Sequence, residues 1–157
     1  MSDPSVLHNT FVIERSYPVS PEKVFAALSD PAKKRRWYGD SDHRDLETFE
    51  IDFRVGGAER NDYRLGPQTP FPGVVIANDG HFHDIVTNER VVLATHMTMG
   101  GKLISVSLIT FELLPTAAGT DLLFTHQGIF YENSGGVEMR KAGWNSLFDR
   151  LAKELGQ

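Results

Sequence analysis

The chain has 157 residues, of which 40% are hydrophobic and 24% charged, and its formal net charge is −5. This length and composition predict one globular domain over residues 1–157. The negative charge argues against nucleic acid as a partner, because phosphate binding needs a concentrated positive face. The absence of cysteine excludes disulfides, thiol nucleophiles and cysteine-based metal sites.

The N-terminal residues 1–5 lack the basic and apolar regions of a secretory signal. Nowhere do the roughly 18 apolar residues needed for a membrane-spanning helix follow one another. We therefore expect a cytoplasmic protein without a membrane span. The basic run KKRR at residues 33–36 is typical of a solvated helix face, although it would also suit a phosphate or an acidic partner.

The first half of the chain reads as a strand, two short helices and two further strands. Period-two alternation predicts the first strand at residues 10–17. Ser20-Pro21 begins one short helix, and Asp30-Pro31 begins a second that ends at the WYG of residues 37–39. Strands follow at residues 47–55 and 58–65, and the proline-rich residues 66–73 form a loop. The NDG of residues 78–80 predicts a turn.

The second half predicts hairpin-connected strands and then one long helix. The strands lie at residues 81–87, 91–99, 102–114 and 120–130. Between about residues 134 and 155 apolar side chains recur at helical spacing, and charged ones, Arg140 included, are expected on the solvent side. This order predicts an α+β fold, in which a strongly curved antiparallel sheet of six or seven strands wraps the C-terminal helix.

Five segments, in order along nearly the whole chain, carry a family resemblance. They are FVIER followed by PVSPEKVFAALSDP (11–15 and 18–31), WYG (37–39), FRVGG (53–57), DIVTNERVV (84–92), and GTDLLFTH (119–126) with GW and FDRL in the final helix (143–144 and 148–151). With them the chain resembles the SRPBCC (START-like, helix-grip) superfamily. Within it, the chain is similar to the family named for the C-terminal domain of the activator of heat-shock protein 90 ATPase.

The resemblance implies a helix-grip fold and several different roles. Members include small-ligand carriers, polyketide cyclase-like enzymes and co-chaperone modules, so the fold does not fix the function. The chaperone activators also carry a separate N-terminal chaperone-binding domain, and this sequence shows no counterpart of it. A chaperone partner is therefore the weaker expectation.

Aromatic and thioether side chains are the predicted contacts of an apolar ligand between sheet and helix. They are Trp37, Tyr38, Phe49, Met97, Trp144 and Phe148. Trp37 and Tyr38 fit the mouth of such a pocket and fit a small core equally well.

Small residues give two further hints of space under the helix. Gly143, inside the helix, suggests either a close strand or room for a ligand beside Trp144. Ser105 and Ser107 are expected to face inward if Phe111 does, which favours a cavity over dense packing.

Three histidines are the predicted polar contacts. His81 and His83 share a strand face that points inward if Ile85 does, and His126 alternates with the apolar residues of the last strand. They would orient a ligand, act as acid and base, or bind zinc with an open position. Because no carboxylate stands at a metal-ligand spacing, we predict no metal, and no cofactor.

The sequence carries neither a nucleophile elbow nor a phosphate-binding loop. Our leading hypothesis is therefore a non-catalytic domain that binds a small apolar molecule. One alternative is a polyketide cyclase-like or hydrolase-like enzyme with a pocket histidine. Another is a stress-response or chaperone-interaction module. A homodimer through an open sheet edge is compatible with each of them.

Overall fold

The computed structural model describes residues 5–132 and 134–156. Residues 1–4, which form most of the stretch interpreted as lacking a secretory signal (residues 1–5), lie outside the described residues. In the described part, the strands are β1 Val6–Tyr17, β2 Arg44–Ile51, β3 Ala58–Leu65, β4 Val75–Val86, β5 Arg90–Met99, β6 Lys102–Thr116 and β7 Gly119–Tyr131. The helices are α1 Pro21–Ser29, α2 Pro31–Lys34, which continues into a π-helical turn over Arg35–Gly39, and α3 Gly136–Leu155.

The described strands form one antiparallel sheet in the order β1-β7-β6-β5-β4-β3-β2. The predicted α+β fold with a long C-terminal helix is confirmed. The backbone of α3 packs against α1, the π-helical turn, β1 and β7 more extensively than against the middle strands. The core between α3 and the sheet includes the fully buried Phe124, Phe148 and Leu151. In the described residues, no helix is both long and apolar enough to cross a membrane.

Local capping explains the two short helices that follow β1. The Ser20 hydroxyl accepts a hydrogen bond from the Lys23 amide at the start of α1. The Asp30 carboxylate accepts from the Ala32 amide at 2.9 Å and so begins α2. One expectation fails here, because Lys34 is not on a solvated face: its side chain turns inward and is only 3% exposed.

The turn predicted at residues 78–80 is wrong. These residues lie in the middle of β4, where Asn78 pairs with Asn61 of β3 and with Met97 of β5. Ladder hydrogen bonds on both sides override the local turn preference of the NDG sequence. Gly80 allows the backbones of β4 and β5 to approach closely, since a Cβ at this position would lie 2.6 Å from the Ala94 carbonyl oxygen.

Candidate functional site

Most of the predicted aromatic contact residues pack against one another. The Trp37 indole nitrogen donates to the Ala27 carbonyl oxygen at 2.8 Å, which fixes the ring inside the core. The Tyr38 ring stacks on Trp144 with centroids 5.7 Å apart. Trp144 in turn lies 5.6 Å from the Phe148 ring. Trp37 and Tyr38 therefore belong to the buried core in this structure and do not line the mouth of an open pocket.

Phe49 and Met97 are half-buried at the margin of this core. Phe49 packs over Gly39, where an added Cβ would lie 3.0 Å from its ring. Met97 contacts Arg140, as described below. Both explanations of Gly143 are wrong, since it is exposed and a Cβ at this position would meet no described atom within 4 Å.

The predicted inward orientation of His81 and His83 is wrong. Both are exposed, while their neighbours Gly80 and Phe82 are buried on the face that α3 covers. The cause is a β-bulge between Phe82 and Asp84, which inserts His83 as an extra residue. Because of this extra residue, His81 does not lie on the same face of β4 as Ile85, although the two lie an even number of positions apart in the sequence.

His126 faces the core, as predicted. Its imidazole is 0% exposed and lies between Phe11, stacked at 4.7 Å, and Phe130 at 5.8 Å. Burial, together with the nearby charge of Arg140, lowers the pKa of His126 to about 4, so the ring is neutral at neutral pH. Neither ring nitrogen has a hydrogen-bond partner among the described residues.

A row of small side chains crosses the sheet beside His126. On the inner face, Asn9 of β1 is followed across successive strands by Gly128, Ser107, Thr95 and Gly80. Ser107 is buried, as predicted, and its hydroxyl has no partner among the described residues. These residues have short side chains or none, and the row lies on the sheet face that α3 covers.

Arg140 projects from α3 towards the neighbouring row of the sheet. Its Nη2 donates to the Ser105 hydroxyl at 2.7 Å and lies 3.2 Å from the Met97 sulfur. The guanidinium carbon is 5.2 Å from the centroid of the Phe130 ring. Burial lowers the pKa of Arg140 below its usual value. The prediction that Arg140 faces solvent is wrong.

A buried ion pair lies on the same side of the sheet as these polar residues. Lys34 pairs with Glu59 of β3, and the two side chains are 3% and 5% exposed. The Lys34 ammonium also lies 4.8 Å from the centroid of the Tyr38 ring. Two residues further along β3, Asn61 is buried on the same face, and its Oδ1 has no partner among the described residues. We refer to Asn61, Ser105, Ser107, His126 and Arg140 as the inner polar cluster.

Two surface hollows lie elsewhere. A groove of about 480 Å³ runs between the start of α1, the β4–β5 turn and the end of β6. A hollow of about 250 Å³ is lined by Arg36, Arg150, Lys153 and Glu154. None of the nine predicted contact residues lines either of them. Neither hollow is lined by a residue of the inner polar cluster.

The arrangement does not assemble a histidine metal site. His126 lies on the inner face, whereas His81 and His83 lie on the outer face of the sheet, so the three rings do not converge. In the described ranges, no group of three or more histidine or carboxylate side chains is placed to hold a metal ion.

Sequence reasoning missed Arg140, Lys34 and Asn61, although two of them leave a signal in the sequence. Arg140 precedes Trp144 by four residues, so both lie on one helix face. Asn61 alternates with Glu59 and Tyr63 on a predicted strand, which puts all three on the same side. The burial of Lys34 depends on its long-range partner and leaves no such pattern.

Comparisons with known proteins agree with this architecture. The family model described as Activator of Hsp90 ATPase homolog 1-like protein matches residues 18–156. A Rhizobium leguminosarum protein of solved structure is 34% identical, with a TM-score of 0.89 over 97% of each chain. The Mll3558 protein from Rhizobium loti is 40% identical, with a TM-score of 0.84 over 96% of this chain and 99% of its own. A search of curated proteins finds no significant match.

Proposed function

The chain belongs to the family of Activator of Hsp90 ATPase homolog 1-like proteins, and from this premise we propose that it binds a small, largely apolar molecule between the sheet and α3. The family has a ligand-binding fold. The ligand would lie over the row of small side chains, beside the aromatic core. Phe49 and Met97, at the margin of that core, provide apolar contacts. The inner polar cluster orients the ligand.

The observation that carries this proposal is the state of His126. A neutral imidazole has one donor and one acceptor nitrogen, and here both are buried without a partner among the described residues. Leaving a buried polar atom unpaired costs about 1–3 kcal/mol, so native proteins rarely do so. The Ser107 hydroxyl and the Asn61 amide oxygen add two more such atoms on the same face. A bound molecule with polar groups would pair with them.

The same residue argues for binding rather than acid–base catalysis. A general acid or base works best when its pKa lies near the operating pH. The pKa of His126 is lowered to about 4, well below neutrality. The ring therefore suits a fixed hydrogen-bonding role better than proton transfer at pH 7.

A filling substitution tests whether the space exists. Ser107→Val adds methyl groups beneath α3 and removes the unpaired hydroxyl, while Thr110→Val makes a similar change on the outer face of the same strand. If the space is open, Ser107→Val keeps or raises the free energy of unfolding and abolishes ligand binding. If the interior is already full, overpacking lowers the stability by about 1–3 kcal/mol relative to the control.

The ligand itself is sought by native mass spectrometry of protein purified without denaturation. We expect a co-purified mass that Ser107→Val loses and Thr110→Val retains. A chaperone-interaction role is separated by a pull-down with an Hsp90-type chaperone. Capture that is equal for the wild type and Ser107→Val, without any bound mass, would favour that role instead.

A further inference from the structure

Arg140 is a charged side chain without a charged partner. The ion pairs of the described residues take up other arginines, and no carboxylate oxygen lies within 4 Å of the Arg140 nitrogens. Only Nη2 forms hydrogen bonds, so the Nε and Nη1 donors have no partner in the described part of the chain. The guanidinium is part-buried against Met97, Ser105 and Phe130, and its two unpaired donors are not fully buried, so an incoming group could reach them.

The surrounding groups do not neutralise this charge. Lys34 and Glu59 neutralise each other in their own pair. His126 is neutral at physiological pH because its pKa is depressed. Ser105, Ser107 and Asn61 carry no charge. Arg140 is therefore the one charged member of the inner polar cluster. Arg44, a second arginine without a carboxylate partner among the described residues, lies further away, with its Nη2 on the Tyr38 carbonyl oxygen and its guanidinium over the Tyr63 ring.

An arginine cannot become neutral by losing its proton, since its guanidinium stays charged in proteins. A part-buried charge without a counter-ion is unfavourable, because the protein groups around it replace part of its hydration. A guanidinium fork with free donors matches the two oxygens of a carboxylate. We propose that the interior site takes an organic monocarboxylate, whose carboxylate is bound by Arg140 and whose apolar body lies along the row of small side chains.

This inference rests on the proposed function and specifies the ligand class. The fork of Arg140 matches the two oxygens of one carboxylate, whereas a phosphate monoester carries close to two negative charges at neutral pH and would need further cations within the inner polar cluster. The aromatic rings of Phe130 and Phe11 on either side of His126 suit an apolar body. A neutral ligand would leave the Arg140 charge unpaired.

The test compares acids with their neutral amides on the full chain. The probes are 2-naphthoate and 2-naphthamide, with octanoate and octanamide as an aliphatic pair, and affinity is measured by calorimetry and by thermal shift. Arg140→Gln removes the charge but keeps a donor for Ser105. Lys141→Gln, the next residue along α3, makes the same change in net charge and is the control.

We expect at least one carboxylate to bind about tenfold or more tightly than its amide, the margin of a charge-assisted hydrogen bond. Arg140→Gln should weaken the acid by about 10- to 100-fold and leave the amide unchanged, while Lys141→Gln changes neither. Equal binding of acid and amide, or an acid preference that persists in Arg140→Gln, overturns the carboxylate assignment but leaves the proposed function standing. Failure of all four probes to bind also overturns it, whereas the Ser107→Val result and the native mass spectrum decide separately whether the interior binds any ligand.

Discussion

Lowering the pH from 7 to 4 should reveal the buried, neutral state of His126 as a loss of stability. In the folded protein its pKa is about 4, while an unfolded histidine titrates near 6.5. Between pH 4 and 6.5, His126 is therefore protonated in the unfolded chain but neutral in the folded chain. The free energy of unfolding therefore falls as the pH drops through this window. One pKa unit corresponds to about 1.4 kcal/mol, so the loss amounts to about 3 kcal/mol at pH 4.

A second group titrates in the same range with the opposite sign. The pKa of Asp62 is raised to about 6 by its burial and by the neighbouring Asp79, so its protonation favours the folded state as the pH falls from 6 to about 4. The contribution of His126 must therefore be isolated by difference. His126→Phe keeps an aromatic ring between Phe11 and Phe130 and leaves Asp62 in place.

The assay is urea denaturation followed by tryptophan fluorescence, at intervals between pH 4 and 7.5. We expect the stability of the wild type relative to His126→Phe to fall by about 3 kcal/mol between pH 6.5 and 4. Above pH 7 we expect this difference to stay constant. Parallel curves across the whole range would refute the reasoning, because His126 would then be solvated or paired in the folded state.

Three further predictions concern stability and use the same denaturation assay. Gly143→Ala should stabilise the protein by about 1 kcal/mol, because its helical position is exposed and has room for a Cβ; a loss of stability would contradict this. Gly80→Ala should instead destabilise the protein, since the new Cβ would lie 2.6 Å from the Ala94 carbonyl oxygen. An unchanged urea midpoint would contradict this, because the backbone of β4 would then have shifted at little cost in free energy. Glu59→Gln should cost about 3–5 kcal/mol by leaving the buried Lys34 unpaired, whereas replacing both residues with Met should restore most of that stability; equal losses in the two variants would argue against the pair.

The fold was predictable because its patterns are local. The strand predicted at residues 58–65 coincides with β3, and the helical spacing of Trp144, Phe148 and Leu151 identified the buried face of α3. Side-chain alternation was also sufficient to place His126, Ser105 and Ser107 inward. These inferences need only the period of one element and one reference residue.

The site was less predictable because it depends on contacts between distant elements. The bulge at His83 changes the parity of β4, and no residue type in the sequence signals it. The NDG of β4 has strong turn chemistry, which pairing with β3 and β5 overrides. Lys34 is buried because Glu59 lies across from it in the fold. The sequence patterns thus placed His126, Ser105 and Ser107 on the inner face but gave no sign of the contacts that bring Lys34 and Arg140 to the same side of the sheet.

The most direct measurement is a high-resolution crystal structure of protein purified without denaturation, inspected between α3 and the inner face of β5, β6 and β7. We expect density for an organic molecule within hydrogen-bond distance of the His126 ring nitrogens and of Arg140. Side chains of the protein that fill this region and pair with those nitrogens would contradict the ligand-binding proposal.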